Sequence, residues 1–130
     1  MLKVGMMGTW HVHTGGYAET VKKTGKAEIV AVWDDDQEEM LTKVEAVVCD
    51  APTTQHKEVI IKAAKAGKHV FTEKAMAPTV KDCEEMAEII EKAGITFTIS
   101  LPQRLDPVIR LAKEMIGRGA FGKISLARIR

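Results

Sequence analysis

Short apolar segments alternate along this chain with segments whose apolar positions recur every three or four residues. The first pattern predicts β-strands and the second predicts amphipathic helices. The predicted strands cover residues 2–7, 28–33, 45–51, 68–72, 95–100 and 123–130. The predicted helices cover residues 12–23, 53–66, 79–94 and 106–118. Repeated strand–helix–strand units of this kind indicate right-handed crossovers and a parallel sheet.

Residues typical of helix ends support these boundaries. Thr79, followed three residues later by Asp82, is close to a capping box. Gly94 ends the same helix, and Asp106 followed by Pro107 is a typical start for the last one. The sequence therefore predicts an α/β fold with a doubly wound parallel sheet of the Rossmann type. In such sheets ligands bind beyond the carboxyl ends of the strands, so the residues that follow each strand are candidates for a site.

One crossover is shorter than this fold requires. Only residues 35–44 separate the strand that ends near Asp34 from the strand that begins near Glu45. A parallel crossover needs about a dozen residues or more, usually with a helix. We therefore expect a segment to be missing, with the junction near Met40 and Leu41.

Composition and charge exclude several classes of partner. The net charge is +1, so no general field attracts nucleic acid or an anionic membrane. No apolar run approaches the roughly 20 residues that span a bilayer, and the first residues enter a strand directly, without a signal-peptide pattern. Cys49 and Cys83 are too few for a disulfide framework. We expect a cytoplasmic protein that binds neither nucleic acid nor membrane.

The turn after the first strand stands where a G-x-G-x-x-G dinucleotide loop would stand. It consists of Gly8, Thr9, Trp10, His11, Val12 and His13. Only Gly8 matches that pattern, because Trp10 occupies the second glycine position and His13 the third. Amide groups at the following helix start could hold a pyrophosphate. An ordinary strand–helix turn is the alternative interpretation.

His11 and His13 also raise the question of a metal. Two histidines two residues apart at a helix start do not converge on one ion as an i, i+4 pair does. No Asp, Glu or Cys joins them locally. The sequence therefore predicts no metal site.

Asp34 ends the second strand, 26 residues after Gly8. A carboxylate at this place can accept hydrogen bonds from the adenosine ribose and repel a 2′-phosphate. Asp35 and Asp36 add negative charge, and no Arg follows. This pattern favours NAD over NADP as the cofactor, and a solvated acidic turn is the alternative.

Two further loops follow predicted strands. Pro52 and Thr53 form a good strand–helix turn, and His56 lies in the first helical turn, where a structural role is the more usual one. Glu73 and Lys74 follow the next strand. A Lys at that place can offer a positive charge or a proton to a carbonyl or hydroxyl group. A surface ion pair is the alternative.

Two long segments resemble the glucose–fructose oxidoreductase / inositol dehydrogenase family (Gfo/Idh/MocA). They read EAVVCDAPTTQHKEVIIKAAKAGKHVFTEKAMAPT over residues 45–79 and QRLDPVIRLAKEMIGRGAFGKI over residues 103–124. The resemblance implies an NAD(P)-dependent oxidoreductase that transfers a hydride between the cofactor and a sugar, polyol or related alcohol or ketone. Residues 1–122 would form the NAD(P)-binding domain, and residues 123–130 the first strand of a truncated second domain that holds most of the substrate site. That second domain would also form dimers or tetramers.

The resemblance also implies roles for single residues. Residues 8–12 would meet the pyrophosphate and Asp34 the ribose. Glu73 and Lys74 would lie by the nicotinamide, with Lys74 the catalytic residue at the reacting oxygen. The residues that would line the rest of the cofactor are Ala51, Pro52, Thr53 and His56.

This chain departs from the family pattern at several of these places. Trp10 replaces a usual glycine, Ala75 a usual proline and Asp50 a usually small residue. Leu101 and Pro102 replace residues that are usually polar. These changes bear on cofactor affinity, substrate and activity. A non-catalytic dinucleotide-binding regulator of the same fold, and a structural domain without a cofactor, therefore stay open as alternatives.

Overall fold

The computed structural model describes residues 1–33 and 37–128, and its centre is a parallel sheet. The strands are β1 (Leu2–Met7), β2 (Ala27–Trp33), β3 (Ala46–Cys49), β4 (His69–Thr72) and β5 (Phe97–Ile99). The α-helices are α1 (Thr14–Thr24), α2 (Gln37–Lys43), α3 (His56–Lys65), α4 (Val80–Ala93) and α5 (Pro107–Gly117). Short 3-10 turns cover Thr53–Gln55 and Pro102–Arg104. The predicted α/β class is confirmed.

The strand order is β2-β1-β3-β4-β5, and every neighbouring pair is parallel. The order reverses between β1 and β3, because β2 lies on one side of β1 and all later strands lie on the other. A reversal of this kind opens a crevice at the carboxyl ends of the two strands. The sheet therefore places its ligand crevice beyond Met7 and Cys49.

Helices cover both faces of the sheet, as in a doubly wound fold. One face packs Met7, Val47 and Cys49 against buried residues of α2, α3 and α4, among them Ile60 and Met86. The other face is smaller. There Val4, Met6 and Val48 pack with Tyr17 of α1 and with Phe71.

The short crossover between β2 and β3 contains a helix that the sequence analysis did not predict. This helix, α2, buries Met40 and Leu41, the two residues at which a missing segment was expected. Gly5 of β1 lies directly beneath it, since an added Cβ there would be 3.1 Å from the Met40 sulfur. One short helix can therefore complete the crossover, because a glycine in the neighbouring strand lets it approach closely.

Local end signals behave as predicted. The Thr79 hydroxyl accepts a hydrogen bond from the Asp82 amide, and Gly94 ends α4 with a φ of 64°. Asp106 accepts hydrogen bonds from the amides of Val108 and Ile109 at the start of α5. Each feature depends on residues within one helical turn, which is why the sequence reveals it.

The chain divides into two compact units, Met1–Ser100 and Leu101–Arg130. The domain boundary predicted after residue 122 stays a prediction. The predicted strand over 123–130 is absent from its described part, 123–128, which has no regular secondary structure. A strand needs a hydrogen-bonded neighbour, and none pairs with these residues in the described part of the chain. Among the described residues, every helix is too short or too polar to cross a bilayer.

Candidate functional site

The register of the sheet brings distant parts of the sequence to one edge. Met7 pairs with Cys49, Cys49 with Thr72, and Thr72 with Ile99. The residues that come directly after these aligned strand ends are Gly8, Asp50, Glu73 and Ser100. The sheet therefore lines up a glycine, two carboxyl groups and a hydroxyl group at the edge where such folds bind ligands.

Gly8 permits a close approach between two strand ends. Its φ is 87°, and a Cβ on it would be 2.9 Å from the backbone nitrogen of Ala51. Real Cβ atoms do not tolerate such a contact, so only glycine fits without displacing the loop after β3. The helix start that follows is open, since a Cβ added at Gly15 or Gly16 would meet no atom within 4 Å. Backbone amides at the start of a helix can receive an anion where no side chain blocks its approach.

The rest of the loop after Gly8 is turned partly outward. The side chains of Trp10 and Val12 are 68% and 89% exposed, and Thr9 is also exposed. The indole of Trp10 therefore does not fill the crevice. Thr14 fixes the end of the loop, because its hydroxyl donates a 2.7 Å hydrogen bond to the His11 carbonyl.

Glu73 is the centre of a hydrogen-bond network, although only 1% of it is exposed. Its Oε1 lies 3.0 Å from Nδ1 of His13 and accepts a short hydrogen bond from the Tyr17 hydroxyl. Its Oε2 accepts a hydrogen bond from the Lys74 amide at 3.1 Å. The Tyr17 hydroxyl also lies 2.8 Å from Oγ of Ser100. The network thus connects the ends of β4 and β5 to the start of α1.

These contacts determine the charge state of the network. Burial alone would raise the pKa of Glu73, but hydrogen bonds from Tyr17, His13 and the Lys74 amide outweigh it and lower the pKa to about 2. Burial, followed by the hydrogen bond to Glu73, raises the pKa of Tyr17 to about 12. At neutral pH the site therefore holds a carboxylate and a neutral phenol.

Asp50 is fully buried at the end of β3, and neither carboxyl oxygen has a hydrogen-bond partner among the described residues. Burial raises the pKa of Asp50, and the negative charge of Glu73 raises it further, although Thr14, His11 and His13 act in the opposite direction. A buried carboxyl group without a partner is costly. Asp50 is therefore the least satisfied polar group of this edge.

His56 has a structural place between two loops. It is 1% exposed, and its ring nitrogens lie 3.0 Å from the Ala51 carbonyl and 2.9 Å from the Ala75 carbonyl. Both nitrogens are therefore used within the protein, and His56 braces the loops after β3 and β4. Pro52 and Thr53 lie half-buried in the first of these loops. A 3-10 turn, Thr53–Gln55, precedes α3, and no side chain caps the start of either helix.

Of the two remaining predicted residues, the structure describes Lys74 but not Asp34. Lys74 is exposed, and its ammonium group has no hydrogen bond or ion pair with any described residue. Asp34 lies outside the described residues, so its predicted contact with the ribose stays a prediction. The residue that precedes it, Trp33, ends β2 and pairs with Met7 at the same edge of the sheet.

The sequence did not reveal the hydrogen bonds that join His13 and Tyr17 to Glu73, or the one that joins Tyr17 to Ser100. One signal was available for Tyr17, which follows His13 by four residues and so lies on the same helix face. A second was available for Ser100, which directly follows a strand. The partnership of His13 with Glu73 had no such signal, because 60 residues separate them.

Sequence comparison identifies a family for this arrangement. The sequence model described as an oxidoreductase family with an NAD-binding Rossmann fold matches residues 12–101. An uncharacterized oxidoreductase of Streptococcus pneumoniae is 30% identical over 142 residues, which cover 95% of this chain and 38% of that protein. A scyllo-inositol 2-dehydrogenase (NAD(+)) of Bacillus subtilis is 33% identical over 107 residues, which cover 76% of this chain and 31% of that protein.

Among solved structures, the WlbA dehydrogenase from Bordetella pertussis, in complex with NADH and UDP-GlcNAcA, has a TM-score of 0.85 with 24% identity. The match covers 95% of this chain and 41% of that one. This chain thus spans between a fifth and two fifths of the length of the curated relatives it matches. The alignment with the Streptococcus protein is 142 residues long, whereas this chain has 130, so that relative has residues without a counterpart here.

Proposed function

Because this chain belongs to the Gfo/Idh/MocA oxidoreductase family, through its NAD-binding Rossmann fold, we propose that it is the cofactor half of a sugar or polyol dehydrogenase. In this proposal NAD lies across the carboxyl ends of β1 and β3. Residues 1–122 form the cofactor domain, and residues 123–130 begin a second domain that completes the substrate site. The predicted resemblance to this family is confirmed, whereas the substrate and the reaction are proposals.

The observation that carries the proposal is the junction between the Gly8 loop and the end of β4. The hydrogen bond of His13 to Glu73 joins these two segments at the crevice where the strand order reverses. Lys74 follows Glu73 directly and presents an unpaired ammonium group at the same edge. In the proposal the Gly8 loop receives the pyrophosphate and Lys74 is the proton donor.

The chain's own residues fit a dinucleotide. The absence of a side chain at Gly8 and the open helix start at Gly15 and Gly16 leave room for phosphate oxygens beside backbone amides. Bound NAD supplies the hydride chemistry. Lys74 orients the reacting oxygen and manages its proton, and the ionised Glu73, held by Tyr17 and His13, fixes the start of the Lys74 loop.

We propose NAD rather than NADP as the cofactor. Asp34, Asp35 and Asp36 follow β2 in the sequence, and β2 is a neighbour of β1 in the sheet. A carboxylate there accepts hydrogen bonds from ribose hydroxyls and repels a 2′-phosphate. Tighter binding of NADPH than of NADH would contradict this part of the proposal.

The first experiment measures binding. NADH is titrated into the 130-residue chain while the intrinsic tryptophan fluorescence is followed, and saturable quenching is expected. The full-length protein is then assayed with NAD and a panel of polyols and sugars. Lys74→Met should abolish turnover and leave NADH binding nearly unchanged. Lys65→Met is the control. It removes an exposed lysine from the last residue of α3, which leads into the start of β4, and it should change neither NADH binding nor turnover. Absence of NADH binding would refute the proposal.

A second candidate is a non-catalytic dinucleotide-binding regulator. The exposed Trp10 favours it, because a bulky side chain stands in the loop where the family has a small residue. NADH binding by the full-length protein without turnover of any alcohol would support this candidate. A cytoplasmic location and assembly into dimers or tetramers are further proposals, which cell fractionation and light scattering of the full-length protein would test.

A further inference from the structure

Beyond the proposed function, we infer that His11, His13 and Glu73 form a binding site for a divalent transition metal, with Zn²⁺ as the expected ion. Each residue offers one ligand atom, and these atoms all lie within 4.8 Å of one another. In the sequence alone the two histidines do not converge on one ion and no carboxylate lies near them, which is why no metal site was predicted. The fold supplies that carboxylate from the end of β4.

The separations suit a tetrahedral ion. Zinc bonds of about 2.0–2.1 Å place neighbouring ligand atoms roughly 3.3 Å apart. Oε1 of Glu73 is 3.0 Å from Nδ1 of His13 and 3.9 Å from Nδ1 of His11, so the two distances bracket that value. The two imidazole rings have centroids 4.7 Å apart. A small rotation of the rings would bring the three atoms within bonding distance of one ion.

The donor set is one that zinc uses when one coordination position stays open. Two imidazoles and one carboxylate leave a fourth position for water or a further ligand. Nδ1 of His11 accepts a 3.3 Å hydrogen bond from the His13 amide, so it is the unprotonated ring nitrogen, and an ion bound there would replace this hydrogen bond. Binding at Nδ1 of His13 would replace the proton that it shares with Glu73, which is the usual exchange at metal sites.

Asp50 gives a second, independent reason to expect a cation. Its carboxyl group is fully buried and has no hydrogen-bond partner among the described residues. Cys49 pairs with Thr72 in the sheet, so Asp50 and Glu73 follow neighbouring, aligned strand ends. A divalent ion there would offset the cost of burying two neighbouring carboxyl groups.

Other contacts would orient the ligands. The Tyr17 hydroxyl donates to Glu73 and is itself next to Ser100, and hydrogen bonds of this kind fix metal-binding carboxylates. Access is also suitable, since the His13 side chain is 55% exposed whereas that of Glu73 is 2% exposed. An ion could therefore enter past His13 and meet the buried carboxylate.

The test uses the 130-residue chain without a histidine tag, stripped of metal with a chelator. Zn²⁺ is titrated in competition with a chromophoric chelator and in the absence of any dinucleotide. One Zn²⁺ per chain is expected. Loss of a group that only orients a metal ligand weakens metal affinity by about tenfold or more. Loss of a ligand itself should weaken the Zn²⁺ affinity at least as much, and this is expected for each of His11→Ala, His13→Ala and Glu73→Gln. His69→Gln is the matched control, because His69 is exposed at the opposite end of β4 and should not alter binding.

A second measurement needs no variant and so does not depend on how the variants fold. Co²⁺ added to the wild-type chain should give the intense visible absorption of a tetrahedral site, and one equivalent of Zn²⁺ should remove it. Absence of stoichiometric binding would overturn the inference, as would an equal loss of affinity in His69→Gln. Because no dinucleotide is present, either result is independent of whether NADH binds.

Discussion

Substituting Gly8 by alanine tests the geometry on which the whole site depends. At φ 87° a side chain is strained, and the added Cβ would also lie 2.9 Å from the nitrogen and 3.0 Å from the Cα of Ala51. Left-handed strain costs about 1–2 kcal/mol. Overlap with backbone, which cannot rotate away, adds roughly 1–3 kcal/mol. We therefore expect Gly8→Ala to lower the free energy of unfolding by about 2–5 kcal/mol, the sum of these two costs.

Two other glycines separate strain from overlap. Gly67 has a φ of 70° but no atom within 4 Å of an added Cβ, so Gly67→Ala should cost only the strain, about 1–2 kcal/mol. Gly15 lies in α1 without positive φ and also in open space, so Gly15→Ala should be neutral or stabilise by up to about 1 kcal/mol. The free energies of unfolding of all three variants are measured by urea denaturation, with circular dichroism as the signal.

The same variants connect the geometry to function. Gly8→Ala should also weaken NADH binding, because relief of the overlap moves the loop that would receive the pyrophosphate. Gly67→Ala lies at the end of α3 that leads into β4, away from the crevice, and should bind NADH like the wild type. Equal losses of stability for Gly8→Ala and Gly67→Ala would refute the close approach between the ends of β1 and β3.

Three further predictions concern single side chains. In metal-free protein the wild type should be more stable than Glu73→Gln at neutral pH, because the pKa of Glu73 is lowered in the folded state. This difference in the free energy of unfolding should shrink by about 3 kcal/mol as the pH falls from about 4.5 towards 2. A constant difference in urea titrations across that range would contradict this prediction. Asp50→Asn should raise the free energy of unfolding at pH 7 by on the order of 1 kcal/mol, since the pKa of Asp50 is raised by burial and the charge is removed; a lower melting temperature would contradict the absence of partners. Thr79→Ala should cost about 1 kcal/mol in thermal unfolding through the lost cap on the Asp82 amide, and an unchanged melting temperature would argue against that cap.

The sequence indicated some contacts of the candidate site and not others. The difference depends on how far apart in the sequence the contacting residues lie. Gly8 and Glu73 were selected as candidates because each follows a strand, and the end of a strand is visible in the hydrophobic pattern. His56 was expected to line the cofactor, yet its ring nitrogens lie against the carbonyls of Ala51 and Ala75. The second of these carbonyls belongs to a loop 19 residues away, so no local pattern could reveal that contact.

The amino-acid sequence by itself determined most local elements of this protein, but it did not reveal α2, and it predicted a strand that residues 123–128 do not form. Strand positions, the caps at Thr79 and Asp106 and the stop at Gly94 depend on periodicity and on hydrogen bonds within a turn, so they follow from neighbouring residues. The tertiary structure alone decided which strand ends lie side by side. The parallel register aligns Cys49 with Thr72 and so brings Glu73 to His13. Nothing in the sequence around either residue indicates this contact. The chemistry of the site therefore depends on sheet register, which is a property of long-range packing.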